Sequence, residues 1–410
     1  MALWTFLAAH FAIAFFLSSG IVGIPTRTAT APKQSATEAS WRVDLHSVIG
    51  SAPLPYLFPS KYETKGWPVI SLWFTEDNTI AATFVTATGK PELSIRSNDT
   101  HLPMRLRAVF LDAATGKVTG TSEWPTDSRT STIVAAHDGM FVTKTGSELI
   151  LNSRAVKNIK KLDLKTGSWV GYSSPSGKHV LLIGQDSPGS KVPWAWLDVD
   201  NLKVVREWEQ IQSGWVSISD HKIAMTTCVW VHNCDRVVQV MDINSTWKLV
   251  ISSDRQHDPY PQFINDDLLV LRDFPSRLKL ITAGGDEVLT EDMGQESKRQ
   301  GWGRAYVSAN GERFIIPVDV IKGRIAALDV GGHGVLKKLL IYDAPFKSRS
   351  YTLELKPSIK EGNTLFALSP DGSRLAILNN EMVELINLPN GVEIEPGAVQ
   401  YAHPGTSGFH

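Results

Sequence analysis

Leu111-Asp112-Ala113-Ala114-Thr115-Gly116-Lys117 is a tight turn written out in residues. Asp and Thr fold their side chains back onto nearby backbone N–H groups, and Gly accepts the positive φ that closes the reversal. The phrase returns, with variation, at 162–167, 197–201, 241–245, 281–285, 328–332 and 386–391. Its second positions are Asp112, Asp163, Asp198, Asp242, Thr282, Asp329 and Asn387, separated by steps of 51, 35, 44, 40, 47 and 58 residues. A period of roughly 40 to 50 residues carrying several short strands is the mark of a propeller blade.

A second series of turn signals alternates with the first, at 76–78, 137–139, 175–177, 219–221, 265–267, 309–311 and 369–372. Between the turns lie short apolar runs such as 79–85, 178–183 and 267–271. Nearly continuous apolar runs of this length suit strands that are covered on both faces. The reading is an all-β, seven-bladed propeller of four antiparallel strands per blade, with blades at 66–125, 130–168, 169–209, 214–253, 260–294, 301–345 and 351–395. Trp41-Arg42-Val43-Asp44-Leu45-His46 alternates like a strand but stands ahead of the first blade. It is expected to close the ring by joining N- and C-terminal strands in the last blade; residues 391–394 are the other candidate for that place.

The 410 residues carry 41 Lys plus Arg against 42 Asp plus Glu, so no basic footprint for nucleic acid or anionic lipid is present. Residues 3–17 are almost wholly apolar, and small residues follow at Ser18, Ser19, Gly20 and Gly23. That length fits the apolar region of an export signal better than a membrane span of about 20 residues. The expected organisation is a signal peptide at 1–24, a flexible linker at 25–40, the propeller at 41–395 and a tail at 396–410. The mature chain is expected to be a secreted or periplasmic monomer with no membrane span. The two cysteines, Cys228 and Cys234, flank a short connection and are expected to form a disulfide in an oxidising compartment.

Ser369-Pro370-Asp371-Gly372-Ser373-Arg374-Leu375-Ala376-Ile377-Leu378, together with the phrase at 111–118, resembles the repeats of bacterial exported propellers of the Trp-Asp-like and YVTN-like type. The resemblance extends over about 41–394 and implies a propeller used for interaction. The run 162–169 also resembles the tryptophan-docking repeat of quinoprotein dehydrogenases. Trp169 sits one position too close to Gly167 for that motif, however, and no cofactor is expected.

No nucleophile elbow, His-Glu-x-x-His, Walker loop or dinucleotide fingerprint is present. No catalytic residue and no metal ligand is therefore assigned. The distinctive feature is aromatic: Trp67, Trp169, Trp215 and Trp302 each precede the first turn of a blade by 4 to 9 residues. They are expected near the mouth of the central channel, on the face where the chain enters each blade. The competing reading is that the rings wedge between blades as packing. Trp230 and His232, in a connection opening on the same face, join them as candidate ligand-binding residues. Indole offers a broad apolar face and an N–H donor to sugars, cations or partner side chains. The expected function is a non-catalytic scaffold that binds a protein or small ligand at this mouth. The alternative is a lactonase-like or glycan-cleaving propeller enzyme, which needs several acidic or His side chains converging on the channel.

Overall fold

The computed structural model describes residues 33–34, 39–49, 55–56, 67–68, 70–87, 104–126, 131–164, 168–185, 191–211, 214–228, 236–252, 259–273, 277–292, 300–302, 304–320, 335–345, 348–359, 364–379 and 381–389. The expected signal peptide, most of the expected linker and the expected tail lie outside them. Within the expected linker, Lys33–Gln34 pairs in parallel with Thr352 and Leu353.

Seven antiparallel sheets follow one another along the chain. The first blade is Ile70–Glu76, Thr79–Ala87, Met104–Asp112 and Val118–Thr126. The second is Thr132–His137, Met140–Thr145, Glu148–Ser153 and Lys160–Asp163. Ser168–Ser173, His179–Gln185, Lys191–Asp198 and Lys203–Ile211 form the third. Val216–Ile218, Lys222–Cys228, Arg236–Asp242 and Lys248–Ser252 form the fourth, and Pro259–Phe263, Leu268–Asp273, Arg277–Thr282 and Glu287–Asp292 the fifth. In the sixth, the innermost strand is split into Gln300–Trp302 and Tyr306–Val307, followed by Arg313–Val320, Val335–Asp343 and Ser348–Ile359. The seventh takes Thr364–Leu368, Arg374–Asn379 and Met382–Asn387 from the end of the chain and Trp41–Asp44 from its beginning.

That last pairing closes the ring as expected, with Trp41 opposite Leu385 and Asp44 opposite Met382. The Trp41 indole donates to the carbonyl of Ala113 in the first blade at 3.0 Å, so the closing strand also ties the last blade to the first. The short helix His46–Ile49 follows; its first N–H is capped by the Asp44 carboxylate at 2.9 Å, and its Ile49 is buried.

The apolar runs owe their continuity to the way the sheets stack. The buried side chains form seven clusters, one between each pair of neighbouring blades. In the second strand of the third blade, Val180 and Leu182 enter the wedge toward the second blade, whereas Leu181 and Ile183 enter the wedge toward the fourth. Leu268 and Val270 against Leu269 and Leu271 repeat the alternation in the fifth blade. A period-2 strand thus places every residue against an apolar neighbour.

Two of the seven turn phrases fall out of phase. Four of them join the third and fourth strands of a blade and 386–391 follows the third strand of the seventh, but residues 162–167 follow the fourth strand of the second blade. Its third-to-fourth turn instead starts at Ser153, whose hydroxyl accepts the Val156 N–H at 3.0 Å. Residues 328–332 lie outside the described residues, in the connection between the second and third strands of the sixth blade. There the third-to-fourth turn is at Asp343, which pairs with Ser348. As a result Ser348–Ile359 belongs to the sixth blade, which the spacing had ended at 345, and the seventh begins at Thr364.

Candidate functional site

Each blade's innermost strand starts on one face of the ring, here the front, and ends in the first turn on the back. Hydrogen bonds closing these turns set the blades in register: Ser219 N to Lys222 O, Ile264 N to Leu268 O and Ser308 N to Arg313 O, all 2.9 Å. Four residues before Ser219, Ile264 and Ser308 stand Trp215, Tyr260 and Arg304, so these three occupy the same step of successive blades.

They meet across the blade boundaries. The Trp215 ring, 43% exposed, lies 4.6 Å from the buried ring of Tyr260 at 45°. Arg272, opposite Tyr260 in the second strand, carries its guanidinium 5.0 Å from the same ring. In the sixth blade Arg304 covers Tyr306 at 5.0 Å, and Tyr306 meets Phe366 of the seventh edge-on at 5.1 Å. Hydrogen bonds hold the inner strands in place beneath these rings. Ser217 Oγ accepts the Phe263 N–H at 2.9 Å, and Gln262 accepts the Ala305 N–H at 2.8 Å while donating to the Ala305 carbonyl. The result is an arc of two guanidiniums and four aromatic rings across blades four to seven.

Burial, joined by repulsion from Arg304 and opposed by Tyr260 and Tyr306, draws the Arg272 guanidinium down to about 10. It stays cationic at neutral pH. Arg304 is exposed, and no ion pair among the described residues involves it.

Trp169 shows why spacing alone misleads. It stands five residues before the turn residue Ser174, whose N–H meets His179 O at 3.0 Å, one step earlier than Trp215 in its own blade. A one-residue offset reverses the direction of a strand side chain. Trp169 accordingly packs into the wedge between the second and third blades, in keeping with the packing reading. Trp67 lies in a two-residue ribbon with Pro55–Tyr56, and Trp302 ends the first segment of the sixth blade's inner strand; their side chains are not among those described. Trp230, His232 and Cys234 lie outside the described residues, and Cys228 ends the second strand of the fourth blade. Trp194 and Trp196 are fully buried between the third and fourth blades. Tyr260, Arg272 and Arg304 were not singled out by sequence reasoning. The signal that finds them is alignment of the blades on the turn-closing residue.

The back face has a different chemistry. At every blade boundary the first turns are linked: Gly139 N to Thr75 O, His137 Nδ1 to Ser176 O, Ser176 Oγ to Asp220, His221 N to Asp266, Asn265 Nδ2 to Gly311 O, Asn310 N to Pro370 O, and Arg374 to Asp77 O. Gly177 has φ +77°, and an added Cβ would stand 1.8 Å from the Ala136 carbonyl oxygen, so only glycine fits that joint. Burial raises the Asp220 carboxyl, but hydrogen bonds from His179, Ser176 and Ser174 outweigh it and hold the group down to about 2. A cleft of about 1010 Å³ also opens on this face across blades four to six, bordered by Lys222, Asp242, Trp247, Asn265, Thr282 and Glu312. Among the described residues no three His, Cys, Asp or Glu side chains converge as metal ligands.

No family model and no curated protein matches the chain. Among solved structures, the acylaminoacyl peptidase of Pyrococcus horikoshii superposes with a TM-score of 0.51 at 10% identity, covering 79% of this chain and 53% of that one. The WD40 domain of Neurospora crassa Pan2 gives 0.47 at 12% identity, covering 87% and 98%. BamB from Moraxella catarrhalis gives 0.39 at 12%, covering 86% and 98%. The chain spans about half the length of the peptidase that it matches. Likeness at this level establishes the propeller fold and nothing about activity.

Proposed function

We propose that this protein is an exported, non-catalytic propeller scaffold that binds a protein or small ligand on the front face of its ring, through blades four to seven. The observation that carries the reading is Trp215: a large ring left 43% exposed against the buried ring of Tyr260. An indole held open on a rigid support loses little conformational freedom when a partner covers it. The Trp-Asp-like and YVTN-like repeat type, and export through the apolar run at 3–17, belong to the same proposal and rest on the sequence.

Capture of a partner by the purified protein from its own envelope fraction tests the reading, with wild type and Trp215→Ala run side by side. Capture that falls by about tenfold or more in the variant, with unfolding unchanged, is expected for an interface hot spot. Equal capture by both overturns the assignment of this face. Export carries its own check, since Cys228 opposes Arg236 in register and Cys234 precedes Arg236 by two residues. The native protein is expected to resist alkylation unless reduced; two freely alkylated thiols would count against an oxidising compartment.

A further inference from the structure

We propose that the back-face cleft is a second, separate ligand site, in which a planar aromatic ring with a hydrogen-bond donor on its edge, such as an indole, sits over Ala283 and donates to its carbonyl. The site does not depend on the front face.

The cleft traces to one recurring residue. In six blades the residue just after the third strand donates its N–H to a carbonyl of the same blade's first turn or the residue beside it: Ala113, Val199, Ile243, Ala283, Ala344 and Leu388. Its side chain packs on the wedge shared with the preceding blade. Valine, isoleucine and leucine reach across the back end of that wedge, whereas alanine is too short and leaves a hollow.

The first blade shows what such a hollow accepts. The Trp41 indole, from the outer strand of the seventh blade, lies against Gly116 and donates to the Ala113 carbonyl at 3.0 Å. Trp41 pairs with Leu385, three residues before Leu388. At the same step of the fourth blade stands Lys248, which is exposed and pairs with Val240, three residues before Ile243. A lysine thus occupies the indole's place beside the fifth blade, and the cleft of about 1010 Å³ opens there with Ala283 and Ala344 in its wall. The fifth blade repeats the rest of the seat. Gly285 donates its N–H to the Thr282 carbonyl at φ +101°, as Gly116 does to the Asp112 carbonyl at φ +71°.

The rim disfavours a ligand with net charge. Lys222 and Lys248 border the opening together with Asp242, Asp267 and Glu312, so either sign meets its own there. Backbone bonds already fix the turns, so the seat needs little ordering when a ring enters. The volume exceeds that of one ring and matches the upper end of small-ligand pockets, so the ring anchors a larger molecule.

Titration of the full chain with fluoroindole, followed by fluorine NMR, tests the site. One saturable site is expected, with indole displacing the probe. N-methylindole lacks the donor and is expected to compete about tenfold more weakly, the loss of one hydrogen bond. Benzoate and benzylamine are also expected to compete more weakly than indole. Ala283→Leu gives this turn the side chain that Leu388 has in the seventh blade, and should weaken the probe by about tenfold or more. Gly284→Phe is the second variant: a Cβ at Gly284 meets nothing closer than the Thr282 hydroxyl at 3.5 Å, so the fold is kept. Trp215→Ala should bind the probe as wild type does. Undiminished binding by both turn variants, equal competition by N-methylindole, or no binding of the probe would each overturn the site. Loss of the probe in Trp215→Ala would assign it to the front face and overturn the site as well. Partner capture through Trp215 is read separately, so this site can fall while the front-face reading stands.

Discussion

Asp220 links the third and fourth blades through Ser176 and His179, and its carboxyl is held at about 2 against an ordinary value of 3.8. The stabilisation is therefore complete above pH 3.8 and is lost as pH falls through about 2. Asp220→Asn removes it, so the variant should be less stable than wild type at pH 6 by about 1 to 2 kcal/mol, allowing for solvent screening of a partly exposed pair. The gap should close by pH 2. Urea unfolding at both pH values checks this, and a gap that persists at pH 2 would assign the loss to packing. At this scale the sequence was readable for glycines and turn acids, because a tight reversal demands particular residue types. Arg304 and Tyr260 were not readable, because nothing in a lone Arg or Tyr marks which step of a strand it occupies.

Strands and turns carried most of the legible information. Alternation in Trp41-Arg42-Val43-Asp44 pointed to a strand looking for a partner, and Met382–Asn387 supplies it. The out-of-phase phrases misled because Leu-Asp turn chemistry suits any reversal and does not mark which strands it joins, as at 162–167, which follows the fourth strand of the second blade. Boundaries that depended on those phrases moved, while the blade count did not. The closing strand gives a prediction of its own. Trp41 bonds Ala113 and packs so closely on Gly116 that a Cβ there would approach its ring to 2.7 Å. Trp41→Ala should therefore cost about 3 kcal/mol in denaturant unfolding. A chain starting at Leu45 leaves the edge of Met382–Asn387 unpaired and should self-associate by light scattering. A monomeric truncation as stable as the full chain would show that closure does not depend on this strand.

Over the whole molecule, stability is shared among seven apolar wedges and a ring of linked back-face turns, so no single blade holds the core. The same architecture leaves two faces of different character. The back bears the linked turns and the 1010 Å³ cleft, the front the exposed indole and two arginines set over tyrosine rings. Cavity size alone favours the back, whereas exposed aromatic and cationic groups on a rigid base favour the front. Hydroxyl-radical footprinting of the captured complex decides between them. Protection is predicted at Trp215 and Tyr306, with 242–248 and 282–285 as reactive as in the free protein; protection of those back-face turns with Trp215 left reactive would contradict the account.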